Sequence, residues 1–135
     1  MAYSNIIDYV NIASTGNAVD FGDLLEANTY PGGCSNGTRG IFTGGEITGG
    51  RSDRVSYVTI DTTANAIDFG DLTLSRSSPT AVSDGTKGLT AGGYNAAAAD
   101  RINVIDYVNI ASLGNASDFG DLTRAGCAIH ACSGD

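Results

Sequence analysis

The sequence predicts an all-β protein made of short strands and tight turns. Its 135 residues include 19 Gly, 2 Pro and no Trp, and 16% of them are charged. Gly accepts the positive φ angles of tight turns, and stretches rich in Val, Ile, Tyr and Thr favour strands over helices. No segment has the sustained i, i+3, i+4 apolar spacing that an amphipathic helix requires.

One passage occurs three times, and this repeat sets the predicted architecture. The letters IDYVNIASTGNAVDFGDL at residues 7–24 return as VSYVTIDTTANAIDFGDL at 55–72 and as IDYVNIASLGNASDFGDL at 105–122. The period is 48 and then 50 residues, as given by Phe21, Phe69 and Phe119. A repeat of this length indicates one supersecondary unit per copy.

Each unit contains four short apolar stretches bounded by Gly, Asn, Asp and Ser, which predicts four strands. In unit order these are the CSNG-type, GIFTGG-type, IDYVNI-type and AVDFGDLL-type segments. Four strands in such a unit match one β-propeller blade of about 40–50 residues, whereas the alternative, a β-solenoid, has shorter coils of about 20–30 residues. The chain is therefore predicted to be a single repeat domain, with approximate units 1–33, 34–81 and 82–131 and a next unit starting at 132–135.

These units resemble kelch repeats, in which a strand ending in two glycines precedes an aromatic strand and a bulky aromatic residue opens the last strand. Phe stands here where kelch has Trp, and Arg76 and Arg124 fall near the Arg of the next kelch repeat. The sequence of the repeated passage also resembles the kelch-like repeats of structural and tail-fibre proteins of marine phages, cyanophages especially. The residues expected to anchor the repeat are Tyr9, Phe21, Gly44, Gly45, Tyr57, Phe69, Gly92, Gly93, Tyr107 and Phe119.

The resemblance implies antiparallel four-stranded kelch-like blades, about three per chain, with one incomplete. The chain starts at a third strand and stops at a first strand, and three blades are fewer than the ~4–8 of a closed propeller. We therefore expect a homo-oligomer, with a dimer that completes a six-bladed ring favoured over a fibre, because closure removes sheet edges.

The DFG triplet and its neighbouring Asp residues, which could suggest catalysis or metal binding, are interpreted as structural. The DFG triplet occurs three times, but the Gly-rich and catalytic loops of a kinase are missing. We expect its Phe to be a buried anchor between blades, its Gly to permit a bulge, and its Asp residues to bind backbone N–H groups. The alternative, calcium bound by paired Asp residues, lacks enough oxygen ligands. No metal and no cofactor are predicted.

The cysteines and the single histidine form no metal-binding pattern. Cys34 and Cys132 occupy the position of Val82, which predicts small buried side chains, and a Cys127–Cys132 disulfide is possible but unsupported. His130 lies between Cys127 and Cys132, but no second histidine or oxyanion donor accompanies it. No catalytic residues are therefore predicted.

Function is expected where the copies differ, because the copied part forms the scaffold. The connections after the two glycine pairs read EITGGRSDR at 46–54 and YNAAAADRINV at 94–104, and the segments after each DL pair also vary. The candidate ligand contacts in these loops are Glu46, Thr48, Arg51, Asp53, Arg54, Tyr94, Asn95, Asp100 and Arg101.

Charge and hydropathy limit the partners. The net charge is −8, and the seven basic residues are scattered singly, which argues against nucleic-acid binding. No apolar run approaches the ~20 residues of a membrane span, and the N-terminal residues do not resemble a secretory signal. We expect synthesis in the cytoplasm and a final place in a virion or outside the cell.

These observations predict a non-enzymatic structural and recognition module. The first hypothesis is a phage tail-fibre or appendage protein whose loops bind a host surface glycan or protein. The alternative is a cellular or secreted kelch-like lectin or scaffold that mediates carbohydrate or protein interactions. Copper chemistry of the galactose-oxidase kind would need more ligands than one His supplies.

Overall fold

The computed structural model describes residues 2–133, and all regular structure in that range is β-strand. The all-β prediction is therefore confirmed. The strands are β1 (Ser4–Tyr9), β2 (Val19–Thr29), β3 (Gly32–Ser35), β4 (Arg39–Thr43), β5 (Glu46–Ile47), β6 (Gly50–Arg51), β7 (Arg54–Thr59), β8 (Ile67–Asp71), β9 (Thr80–Ser83), β10 (Lys87–Ala91), β11 (Tyr94–Asn95), β12 (Asp100–Arg101), β13 (Val104–Asn109) and β14 (Ser117–Asp121).

Two four-stranded antiparallel sheets repeat the same design. The central sheet has the order β3-β4-β7-β8 and the last sheet has the order β9-β10-β13-β14, so each strand pairs with its neighbour in a meander. In each sheet a two-stranded hairpin, β5-β6 or β11-β12, separates the second and third strands. The four predicted segments of the unit correspond to the four strands of these sheets.

The first sheet is built from a different set of strands, in the order β1-β2-β5-β6. Strand β2 is 11 residues long, and its end pairs with the hairpin of the following unit, Thr29 opposite Glu46. The first unit therefore contributes two strands, and the next unit supplies the other two. Residues 132 and 133, expected to begin a further strand, carry none, and residues 134 and 135 lie outside the described range.

A glycine in the fourth strand allows each sheet to approach the next one closely. Gly22 and Gly70 both have φ near +146°, and a Cβ on either would lie 2.5 Å from a backbone oxygen of the following sheet, that of Ala64 or Gly114. Pairing of the third and fourth strands shifts register beside these residues, as in a β-bulge. The expected bulge is confirmed at both positions.

The apolar core lies between consecutive sheets rather than within one. Phe21 packs with Val58 and Ala66 of the central sheet, and Phe69 packs in a larger cluster that includes Val108 and Ile110 of the last sheet. The predicted burial of Phe is thus confirmed at these two positions. It is wrong for Phe119, which is exposed because no described sheet follows it.

Tyr and Phe of the repeated passage form an edge-to-face pair in every unit. The ring centroids are 5.8, 5.9 and 5.9 Å apart in the pairs Tyr9–Phe21, Tyr57–Phe69 and Tyr107–Phe119. This geometry is favoured by the quadrupoles of the rings. Each pair joins the third and fourth strands of its own sheet.

A buried ion pair joins the central and last sheets. Arg76 Nη2 donates to Asp106 Oδ2 at 2.8 Å, and both side chains are fully buried. Arg76 also donates to the carbonyls of Gly92 and Val104, while the Thr73 amide and hydroxyl donate to Asp106 at 3.0 and 2.7 Å. The carboxylate and guanidinium are therefore both well hydrogen-bonded, as a buried pair requires.

The paired glycines tie each sheet to the segment that follows its fourth strand. Gly44 N–H donates to the carbonyl of Arg54 and Gly45 N–H donates to that of Arg76, at 2.9 and 2.8 Å. Gly92 and Gly93 make the equivalent bonds to Val104 and Gly126. The sheets of the described residues do not close into a ring. Residues 2–133 also contain no helix with the length and apolar character needed to cross a bilayer.

Candidate functional site

The variable loops predicted to bind a ligand fold into two hairpins at the same end of their sheets. Each hairpin lies between the second and third strands of its unit, so it emerges where β4 or β10 ends. Each also pairs with a residue that follows the DL pair of the preceding unit, Glu46 with Thr29 and Tyr94 with Ser77. We call residues 46–54 and 94–101 the hairpin surface.

One residue from each hairpin meets Ser77 across the boundary between units. The guanidinium of Arg51 stacks 4.4 Å from the ring centroid of Tyr94, and Arg51 Nε donates to Ser77 Oγ at 3.2 Å. Two predicted contact residues, Arg51 and Tyr94, are thus brought together and oriented by a third. At the equivalent positions of the next unit, the interaction with Cys127 raises the pKa of the exposed Arg101.

The other charged candidates lie at the surface. Arg54 Nε pairs with Glu26 Oε1 at 3.2 Å, and both side chains are partly exposed, so the pair contributes little to stability. Thr48, Asp53 and Asp100 are exposed, and Glu46 is half-buried. These groups give the hairpin surface a mixed polar character that suits hydrogen bonding to a ligand.

Asn95 stabilises the hairpin surface. Its side chain is buried, with Nδ2 donating to the Ser75 carbonyl at 2.6 Å and Oδ1 accepting from the Ala98 amide at 2.8 Å. Both ends of the amide are therefore used inside the protein. Asn95 fixes the turn that carries residues 96–99.

A groove of about 380 Å³ opens beside the hairpins, between equivalent segments of the three units. Its side chains follow directly after the residues that pair with the hairpins, Thr29 and Ser77. The residues that line it are Tyr30, Pro31, Gly32, Gly33, Ser78, Pro79, Thr80, Ala81, Ala128, Ile129 and His130.

Backbone hydrogen bonds join three of the residues that line the groove. The Ala128 amide donates to the Ser78 carbonyl at 2.9 Å, and the Ser78 amide donates to the Tyr30 carbonyl at 3.1 Å. All three residues have positive φ, between 51° and 56°, which is uncommon outside Gly and concentrates at functional sites. These bonds place the same position of three units side by side.

Cys34 and Cys132 line a second depression of about 400 Å³ beside β3 and β9, which continues from the groove. Cys34 packs against the core cluster, and burial raises the pKa of its thiol to about 11. The predicted burial is wrong for Cys132, which is exposed because no described strand covers it. Cys127 is half-buried, and all three thiols are free.

The aspartates of the repeated passage have local partners. Asp20 Oδ1 and Asp118 Oδ1 each accept a hydrogen bond from the amide two residues later, at 3.1 Å, which confirms the predicted backbone-binding role at these positions. Residues 2–133 contain no group of three or more His, Cys, Asp or Glu side chains that could hold a metal ion.

Tyr30, an exposed aromatic residue that lines the groove, is not among the predicted ligand contacts. A signal was present, because Tyr30 lies in a variable segment after a DL pair, and its repeat equivalents are Ser78 and Ala128. Three different side chains at one repeat position indicate a surface that is not constrained by the scaffold. His130, considered only for catalysis, also lines the groove.

No protein-family model matches this sequence, and no curated protein matches it.

Proposed function

We propose that the protein is a non-enzymatic recognition module that binds a neutral carbohydrate of a host cell surface. The observation that carries this proposal is the groove of about 380 Å³ beside the hairpin surface, which is lined in part by the exposed Tyr30. Concave sites with an apolar wall and a few polar groups are the usual ligand sites of rigid scaffolds.

The groove has the mixture of groups that a sugar requires. The Tyr30 ring and the two prolines offer apolar surface for the C–H face of a pyranose, and Ser78, Thr80 and His130 offer hydrogen-bonding groups for its hydroxyls. The net charge of −8 disfavours an anionic glycan. Arg51 and Tyr94 on the adjacent hairpins would contact the neighbouring residues of a longer glycan.

The proposed setting is a phage virion, in a tail fibre or another appendage. The resemblance of the repeated passage to kelch-like repeats of marine phage structural proteins supports this setting. Such an appendage needs a rigid scaffold that presents variable loops, and here a repeated scaffold carries hairpins that differ between copies.

The proposed architecture is a kelch-like β-propeller in which the four-stranded sheets are blades. The meander order of the two complete sheets and the contact between β3 and β9, the first strands of successive sheets, support radial packing. A second chain would add blades and complete the ring.

A glycan array tests the ligand most directly. We expect the wild-type chain to bind a restricted set of neutral glycans, and Tyr30→Ala to lose at least about tenfold in affinity, because the stacking surface is removed. The matched control is Thr63→Ala, an exposed change in the β7–β8 turn at the opposite end of the sheet. Binding of no glycan, or equal binding by Tyr30→Ala, would contradict the proposal.

A further inference from the structure

The two junctions between sheets in this chain follow the same pattern. In each junction the Phe of the earlier sheet packs on a Val at the third strand of the later sheet, Phe21 on Val58 and Phe69 in the cluster with Val108. Val58 is 7% exposed and Val108 is 5% exposed. The two halves of a junction are thus a Phe-bearing face and a Val-bearing face.

Backbone bonds lock both junctions. In the first junction the Asp23 amide donates to Asn65 Oδ1 at 3.0 Å, and the Ala66 amide donates to the Asp23 carbonyl at 2.8 Å. The second junction repeats these bonds at 3.1 and 2.7 Å, with Asp71, Asn115 and Ala116. A junction is therefore recognised by hydrogen bonds as well as by apolar contact.

The last sheet presents a third Phe-bearing face that has no counterpart among residues 2–133. Phe119 is 53% exposed, whereas its equivalent Phe69 is 3% exposed. A Cβ on Gly120 would meet no atom within 4 Å, although the same position in Gly70 is filled by the next sheet. We call Phe119, Gly120, Asp121 and Thr123 the trailing face.

The first sheet presents a third Val-bearing face, which is equally uncovered. Val10 is 55% exposed, and Asn17 and Ala18, the equivalents of Asn65 and Ala66, are exposed as well. We call Asp8, Val10, Gly16, Asn17 and Ala18 the leading face. Each of its residues is identical to its counterpart in at least one of the two formed junctions.

One polar pair identifies which formed junction the free faces resemble most. In the second junction Asp106 accepts two hydrogen bonds from Thr73, whereas the first junction has Ser56 and Leu25 at these positions. The free faces carry Asp8 and Thr123, which are the Asp and Thr of the second junction. Asp8 is therefore matched to the Thr123 hydroxyl on the trailing face, whereas Gly126 occupies the position of Arg76 and supplies no charge.

We propose that the trailing face binds the leading face of a second copy of this chain. In the bound pair Phe119 packs on Val10 of the second copy, the Asp121 amide donates to Asn17 Oδ1, and Thr123 donates to Asp8. The contact is head-to-tail, so each chain uses both faces, and two such contacts close a ring of two chains. This inference rests on the proposed blade packing and is independent of the proposed ligand.

Native mass and sedimentation of the 135-residue chain over a range of concentrations provide the test. We expect a dimer of 13.7 kDa chains, and we expect Phe119→Glu and Val10→Glu each to raise the dissociation constant by at least about tenfold, since each buries a charge. Both side chains are exposed in one chain, so both variants should fold. The matched control is Ile67→Glu, because Ile67 is 53% exposed although its junction is formed and Ser117 occupies the same position.

Mixing the two charged variants tests the head-to-tail arrangement itself. The Val10→Glu chain retains an intact trailing face and the Phe119→Glu chain retains an intact leading face. The mixture therefore restores one of the two contacts and should form an open heterodimer at concentrations where each variant alone is monomeric. A monomeric wild type, unchanged dimers of both variants, or no heterodimer would each overturn the proposal. Glycan binding is measured in a separate assay. Whether the monomeric variants bind glycans therefore tests the proposed ligand and does not affect the test of dimerisation.

Discussion

At the scale of single residues, the buried pair Arg76–Asp106 is the feature with the largest expected effect on stability. Burial lowers the pKa of Arg76 and the charge of Asp106 opposes this, so the guanidinium depends on its partner. Removing one member of a buried ion pair costs about 3–5 kcal/mol, because the other charge is left uncompensated. The first junction shows how the same positions are filled without charge, with Asn28 and Ser56.

We therefore expect Arg76→Asn alone to lower the free energy of unfolding by about 3–5 kcal/mol in urea denaturation. The double variant Arg76→Asn with Asp106→Ser should recover most of this loss, because it reproduces the first junction, where Asn28 Nδ2 donates to the Gly44 carbonyl at 2.8 Å. A double variant no more stable than the single one would contradict this explanation.

Cys34 gives the protein a predictable loss of stability in alkali. Burial raises its pKa from 9.0 to about 11, so the folded state favours the neutral thiol. The stabilising contribution is fully present below 9.0, the value in the unfolded chain, and is lost as the pH rises to about 11. Because the side chain is partly exposed, we expect a contribution of at most about 2 kcal/mol.

The measurement is the free energy of unfolding of wild type and Cys34→Val across this pH window. Val is the residue at the equivalent position, Val82, so the variant should fold. The other ionisable groups are the same in both proteins, so the difference between the two stability profiles reports on Cys34. Equal pH dependence of the two proteins would show that the thiol is not responsible.

At the scale of elements, the glycine of each fourth strand sets how closely the next sheet packs. Gly70 and Gly120 have nearly the same φ, +146° and +140°, but only Gly70 has a backbone oxygen where its Cβ would lie. Alanine at either position bears the same backbone strain, and only Gly70→Ala adds a steric clash. The two variants together separate strain from packing.

We expect Gly70→Ala to be less stable than Gly120→Ala by about 1–3 kcal/mol in thermal or urea unfolding of the monomeric state, the cost of overpacking. Gly120→Ala should instead weaken self-association, where the second copy approaches. Equal losses of stability in the two variants would mean that the close approach of the sheets has no energetic consequence.

The strands could be predicted because the repeat shows every segment two or three times with the same apolar and turn residues. The hairpins β5-β6 and β11-β12 could not, since strands of two residues carry no periodic signal and need a partner from another unit. The Arg76–Asp106 pair could not be predicted from the sequence either, because its two members occupy positions at which the residue differs between units. The exposure of Phe119 depends on its surroundings and not on its own residue type.

The candidate site was predicted in part for the same reason. Variation between copies identified the hairpin residues Arg51 and Tyr94, which the structure brings into contact. The groove with Tyr30 depends on how three units lie side by side, and the order of residues along one unit does not contain that information.

At the scale of the whole molecule, the sheets form a series of equivalent junctions with one unmatched face at each end. Phe119 and Val10 leave two such faces uncovered among the described residues, and two chains together would cover all four. The proposed ring of two chains would cover this exposed apolar surface, which an open arc would leave in water.

Electron microscopy of the purified wild-type chain tests this closure most directly. At a concentration where the mass in solution is twice 13.7 kDa, we expect compact particles with six lobes around a central channel. Open arcs of three lobes, or filaments that lengthen with concentration, would contradict a ring closed by two head-to-tail contacts.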